Sequence, residues 1–299
     1  MSGRVRDRLA AAAYLAAEWL GMHLSEEATR RLGRAVAALL HRYAHDQRRV
    51  VTANLARVLG EPLSSPIVRA AVREAYRSYA RYWFDTFHAR VISPDAFLDR
   101  YRMVGEEHIE AAQKEGHGAV LALPHLGNWD LAGRYVAITG RRVTAVAEEL
   151  PVRSVFELFL RHRRALGMNI VPLSDDRKVG EQLIRLLGEN HCVALVADRD
   201  LKGTGVAVEM FGAEVRLPAG PALLSLTTGS PLLPCAPYDT PTGWMVEICP
   251  PLEIERTGTL RDDVSELTRR LAREFERMIA ADPTQWHMFQ PYFDEPVER

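Results

Sequence analysis

The sequence predicts an α/β protein with a central, mostly parallel β-sheet flanked by helices, and a helical cap at the N-terminus. Three observations predict it. Residues 1–95 place apolar side chains at helical spacing, residues 96–299 alternate short apolar runs with helical patterns, and polar clusters stand where several of those runs end. No Pro/Ser-rich linker, low-complexity tract or internal repeat divides the chain, so residues 1–299 are expected to form a single domain.

In chain order, the first helix sets Val5, Leu9, Ala13, Ala16 and Leu20 on one face, with Arg4, Arg6 and Arg8 in its leading turns. A second opens at Ser25-Glu26-Glu27, a capping hydroxyl followed by first-turn acids, and its apolar face is expected through Leu32, Val36, Leu39, Leu40 and Tyr43. A third carries Val51, Leu55, Val58 and Leu59 and stops at Gly60. A fourth starts at Ser65-Pro66, with Val68, Val72, Tyr76, Tyr79 and Trp83 on one side and Arg69, Arg73, Arg77 and Arg81 on another.

Strands are expected over 119–123, 143–147, 169–173, 192–197, 206–211, 232–236 and 244–249. Helices are expected near 129–139, 152–166, 177–187 and 219–228. A last helix over 260–281 keeps Val264, Leu267, Leu271, Phe275 and Met278 in register.

Composition excludes several classes. The formal net charge of −1 makes the molecule no general trap for nucleic acid. Residues 1–50, however, hold nine arginines against five acids, a local +4 that suits an anionic membrane surface. Arginine outnumbers lysine 35 to 3, which a GC-rich coding bias explains without function. Cys192, Cys235 and Cys249 form no CxxC pair, so neither a disulfide framework nor a zinc site is expected, and the compartment reads as reducing. The longest apolar run, about residues 9–20, is too short to span a bilayer and lacks a signal-peptide cleavage pattern. The protein is expected to be neither integral nor exported.

The chemistry concentrates in Ala119-Val-Leu-Ala-Leu-Pro-His125-Leu-Gly-Asn-Trp-Asp130, a strand that breaks at a proline, presents a histidine and opens a helix. An aspartate that accepts a hydrogen bond from one ring nitrogen makes the other a better base toward an alcohol. Three further polar clusters lie at strand ends, where ligands gather in α/β sheets: Glu148-Glu149, Ser174-Asp175-Asp176 and Asp198-Arg199-Asp200. No G-x-S-x-G elbow is present, and no cysteine sits in an electropositive turn, so a covalent nucleophile is disfavoured. Direct attack of an activated hydroxyl on an activated acyl group remains.

His125-Leu-Gly-Asn-Trp-Asp130 resembles the HxxxxD motif of the glycerolipid acyltransferases, and the surrounding chain resembles their bacterial lipid A-type branch. It is most similar there to the actinobacterial phosphatidylinositol mannoside acyltransferases. The stretches that carry this are Arg161-His-Arg-Arg-Ala-Leu-Gly-Met168 with Val171-Pro172-Leu173, Ala197-Asp-Arg-Asp-Leu201, Phe211-Gly212, Arg216-Leu-Pro-Ala-Gly-Pro221 and Trp286-His-Met-Phe-Gln-Pro291. The FPEGTR block of the glycerol-phosphate enzymes is missing, with Asp198-Arg199-Asp200 in the comparable place, and so is the single membrane anchor usual in lipid A enzymes.

The resemblance implies a glycerolipid acyltransferase-like sandwich, a long-chain (palmitoyl) acyl-CoA co-substrate and an anionic glycolipid acceptor. It also implies a peripheral, monotopic place on the cytoplasmic face of the cell membrane. No cofactor or metal is expected. His125 would be the general base and Asp130 its orienting partner, and a further acid from the Asp198/Asp200 pair, with Asp200 the catalytic candidate, would support the histidine or the acceptor sugar. Asp198, Arg164, Glu149, Arg199 and Asn128 would bind substrate, and Arg216 and Gly220, at a helix start, would hold a coenzyme A phosphate or a developing oxyanion. Two other readings stay open. The same chemistry would serve a lysophospholipid or lipid A-type acceptor, and a non-catalytic lipid-binding protein could use the arginine-rich helices at a membrane surface.

Overall fold

A computed structural model of the chain describes residues 3–150, 152–173, 176–200, 203–256 and 258–293, and the statements below concern these. Four helices come first: α1 (Gly3–His23), α2 (Glu26–Tyr43), α3 (His45–Leu59) and α4 (Pro66–His88). Ser25 and Ser65 cap α2 and α4 through hydroxyl oxygens that accept from Ala28 N and Ile67 N, and α3 ends on left-handed Gly60. A short α5 (Pro94–Leu98) leads into β1 (Tyr101–Val104) and α6 (Glu106–Glu115), none of which the sequence pattern predicts.

Alternation then proceeds through β2 (Ala119–Leu123), α7 (Trp129–Ile138), β3 (Val143–Glu148), α8 (Arg153–Ala165), β4 (Asn169–Leu173), α9 (Asp176–Gly188) and β5 (Cys192–Val196). The hairpin β6 (Val206–Met210) and β7 (Ala213–Leu217) follows. It is succeeded by α10 (Gly220–Thr228), β8 (Leu232–Asp239), β9 (Trp244–Ile248) and α11 (Leu260–Ala281).

Seven strands form one sheet in the order β1-β9-β8-β2-β5-β3-β4, and most neighbours run parallel. The exception is the antiparallel pair β8–β9. The strand expected over 206–211 is not in this sheet: β6 pairs only with β7, antiparallel, because Phe211 and Gly212 turn the chain back with positive φ.

β2 shows why the sheet is buried on both faces. Val120 and Ala122 join one core with α9, α10 and α11, whereas Ala119, Leu121 and Leu123 join another with α6 and α7. The predicted face of α11 is buried throughout, from Val264 to Met278.

The face of α2 differs from the expectation. Its buried residues are Thr29, Gly33 and Ala37, while Leu39 and Tyr43 are 57% and 66% exposed. Small residues let α2 approach α4 closely: a Cβ on Gly33 would lie 3.2 Å from the Phe84 ring. Close helix packing won over burial of the largest side chains. Among the described residues no helix is long and apolar enough to cross a membrane.

Candidate active site

The site is built where β2 gives way to α7. Pro124 ends the strand, and Gly127 takes a positive φ of 54° under the carbonyl of Pro237, where a Cβ would sit 2.1 Å from the oxygen. Only glycine fits there. Asn128 then caps α7, its side-chain oxygen accepting from Leu131 N at 3.2 Å. The C-terminal segment clamps the turn from outside. Gly127 N donates to the Gln285 carbonyl (2.9 Å) and His287 N to the His125 carbonyl (2.7 Å).

This turn aims the His125 ring at Asp198, which stands just beyond β5. The Nδ1–Oδ1 distance is 2.5 Å, and the His125 backbone N–H donates to Oδ2 of the same carboxylate at 2.9 Å. Trp286 Nε1 donates to that Oδ2 at 2.9 Å. Asp198 is fully buried while the imidazole keeps 26% of its side-chain surface. Burial alone would raise the carboxyl's pKa, but the neighbouring His125 charge and these three donors hold it below the usual carboxylate range. In the neutral ring, an ionised acceptor on Nδ1 fixes the proton there and leaves Nε2 with its lone pair.

The expected hydrogen bond from Asp130 to this ring is therefore not made. Asp130 lies on the first turn of α7 and is buried against Arg163, whose Nε and Nη2 donate at 2.5 and 3.2 Å. The Tyr82 hydroxyl also donates to it. Asp130 already belongs to the first turn of α7 and meets α8 and α4, so the two halves of the motif face different partners. The acid that reaches the imidazole comes from the neighbouring strand instead.

The other expected residues divide similarly. Arg164 is exposed; its neighbour Arg163 is the buried one, and Arg161 bonds Glu18 of α1 at 3.0 Å. The helix pattern held a clue, because Phe156, Phe159, Leu160 and Arg163 share one face of α8. Arg199 bridges Glu148 (2.8 Å) and Gln290, tying the end of β3 to the C-terminal segment, whereas Glu149 is exposed.

Asp200 accepts from Gly205 N at 2.5 Å, holding the loop before the hairpin. Asn128 is consumed by capping and by bonds to Tyr82 and Thr86 of α4, which leaves it structural rather than substrate-facing. Arg216 sits on β7 and donates to the Gly205 carbonyl at 3.0 Å, and Gly220, exposed, begins α10. Ser174 and Asp175, of the third polar cluster, and Lys202 lie outside the described residues.

His287 was not singled out from the sequence. It is buried, its Nε2 is 3.0 Å from Ser78 Oγ, and its ring packs edge-on to Tyr82. Burial, with some help from the nearby His125, pushes its pKa from 6.5 to about 3, so the ring is neutral. Nothing local in the sequence marks it, since its neighbours come from α4 and the β2–α7 turn.

A narrow cavity of about 110 Å³ runs between α7 and the sheet. Trp129, whose ring centroid lies 5.7 Å from that of His125, forms part of its wall. Leu121, Leu123, Gly133, Met168 and Ala194 continue it among mostly apolar side chains. A base packed against one wall residue of an apolar slot suits transfer of a group with a hydrocarbon tail.

Residues 4–295 match the family model for bacterial lipid A biosynthesis acyltransferases. A phosphatidylinositol mannoside acyltransferase of Mycobacterium tuberculosis is 40% identical over 245 residues, covering 80% of this chain and 74% of the relative. A protein of the same name from Mycolicibacterium smegmatis is 37% identical over 239 residues, covering 80% and 77%.

Proposed function

The chain belongs to the bacterial lipid A biosynthesis acyltransferase family and is an acyltransferase, and we propose that it moves a palmitoyl-length acyl group from acyl-CoA to a mannose hydroxyl of a phosphatidylinositol mannoside. The observation that carries this reading is the His125 ring, held through Nδ1 by buried Asp198 and set edge-on to Trp129, a wall residue of the apolar cavity. The names borne by the relatives favour the acceptor.

In this mechanism Nε2 of His125 takes the proton of the sugar hydroxyl as its oxygen attacks the thioester carbonyl. The tetrahedral adduct collapses by breaking the carbon–sulfur bond, and the imidazolium returns its proton to the departing coenzyme A thiolate. Asp198 stays ionised throughout and stabilises the imidazolium. The thioester is already activated, so the protein supplies a base, orientation and exclusion of water. Trp129, Leu121 and Leu123 offer the acyl chain an apolar wall.

Exposed Trp19 and Leu15 on α1 and Tyr43 and Leu39 on α2 support a peripheral position on a membrane, which this reading puts on the cytoplasmic face. The decisive assay combines purified protein, labelled palmitoyl-CoA and a panel of phosphatidylinositol mannosides, lysophospholipids and lipid A precursors, with products identified by mass. The expected product is the acylated mannoside. Acylation of a lysophospholipid or lipid A precursor in its place would overturn the acceptor assignment.

A further inference from the structure

Away from His125, a groove runs between α2 and α4. At one end is a cavity of about 400 Å³ whose charged lining is entirely basic among the described residues: Arg34, Arg42, Arg48, Arg73 and Arg77, with His41. Arg77 is bridged to Glu74 at 3.0 Å, and Arg34 lies 3.9 Å from Glu27. Arg42 and Arg73 pair with no carboxylate among the described residues. The cationic field reaches His41, whose pKa is lowered by burial and then by Arg48 and Arg73.

Arg34 and Arg77 also line a second cavity of about 490 Å³, which continues the groove toward the end of β8. Its character is different. Thr29 and Asp239, 2% and 5% exposed at most, line it, and Thr29 Oγ1 and Asp239 Oδ1 have no hydrogen-bond partner among the described residues. Buried polar oxygens left unsatisfied are costly unless something fills the need. Gln285 and Ser78 border the same space.

One end thus offers guanidinium groups without enough acids, and the other offers unsatisfied oxygens that match hydroxyl groups. The exposed Leu39, Leu40 and Tyr43 stand on the last turns of α2, beside the arginine end. Apolar side chains next to a basic groove complement an anionic lipid surface.

We propose that this groove is a headgroup site for an anionic phospholipid whose phosphate carries a polyol, with the phosphodiester against the arginines and the hydroxyls toward Thr29 and Asp239. The site docks the enzyme on the membrane. It rests on the reading that the acceptor is a membrane lipid, but on none of the residues assigned to acyl transfer. The Glu74, Arg77, Ser78, Arg81 and Asp85 side of α4 faces the groove, and Tyr82 and Thr86 face the β2–α7 turn.

The test is co-sedimentation of the full chain with vesicles of phosphatidylcholine alone or mixed with either phosphatidylinositol or phosphatidic acid. Wild type should bind the phosphatidylinositol vesicles best. The double variant Arg42→Glu/Arg73→Glu, at two exposed positions, should keep its thermal midpoint and lose about tenfold or more in affinity for them. Thr29→Val should narrow the preference for phosphatidylinositol over phosphatidic acid several-fold. Unchanged binding of the double variant overturns the site, and equal wild-type binding to the two anionic lipids overturns its polyol end. Acyl transfer is measured separately in detergent. Arginine-dependent vesicle binding without any transfer would sink the catalytic reading and leave the groove standing.

Discussion

Two aspartates sit within reach of the β2–α7 turn, and they live in different physical worlds. Asp198 is buried but meets a ring that remains partly open, so its charge is coupled to a group able to exchange a proton with a ligand. Asp130 is equally buried but meets Arg163 and the Tyr82 hydroxyl, groups that hold their protons. The pKa of Tyr82 is raised far above its ordinary range by burial and by the Asp130 charge. The first arrangement suits proton transfer; the second ties α7 to α8 and α4. The two signature residues of one six-residue motif therefore do separate work, and a carboxylate's neighbour, not its place in a motif, decides its role.

The largest expected effects fall on the first aspartate and its ring. His125→Ala and Asp198→Asn should each lower kcat by about 10²–10⁴. His125→Ala should leave the thermal midpoint near that of the parent, because the ring is partly exposed. Steady-state turnover beside a melting curve checks both halves, and parental turnover in either variant would break the comparison at its catalytic end.

Next comes the ion pair. Asp130→Ala or Arg163→Ala strands a buried charge and should cost about 3–5 kcal/mol of stability. The double replacement Asp130→Leu/Arg163→Met should recover much of it. Urea denaturation of the three proteins reads this out. A stable Asp130→Ala protein that has lost its turnover would instead put Asp130 back in the chemistry.

A smaller effect depends on pH. The lowered pKa of His287 means that the unfolded chain takes up a proton before the folded one does. Its stability contribution is complete above 6.5 and is lost as pH falls toward about 3, by about 1.4 kcal/mol per pH unit. The lowered carboxyl of Asp198 adds to the loss only as pH drops below the ordinary aspartate range. His287→Gln should flatten the slope of the melting temperature between pH 6 and pH 4, as about one proton's linkage predicts. An unaltered slope would assign the acid sensitivity elsewhere.

The smallest effect concerns adjacent arginines. Arg164→Ala, at an exposed position, should shift stability by no more than about 0.5 kcal/mol, in contrast to Arg163→Ala. A loss of acceptor affinity in Arg164→Ala without a stability change would restore Arg164 as a binding residue.

How far the sequence could be read depended on whether a feature was local. The strand that ends at Leu123, the break at Pro124 and the apolar face of α11 are all legible because each is set by neighbours within a few residues. The short β1 and the hairpin strand β7 were not, since four or five residues of mixed polarity carry little periodic signal. The outward turn of Leu39 and Tyr43 was hidden too, because it follows from the approach of Phe84 to Gly33, 51 positions away in the chain.

The sequence by itself determined that an imidazole would stand at the end of a buried strand, with acids available at neighbouring strand ends. Tertiary structure alone decided which acid. Asp130 is five residues from His125 but belongs to the first turn of a helix, and its carboxylate meets Arg163. Asp198 is 73 residues away, yet parallel pairing of β2 with β5 sets Leu123 opposite Val196 and brings both loops to the same edge of the sheet. Register, which depends on the packing of the whole sheet, placed the carboxylate where spacing along the chain could not.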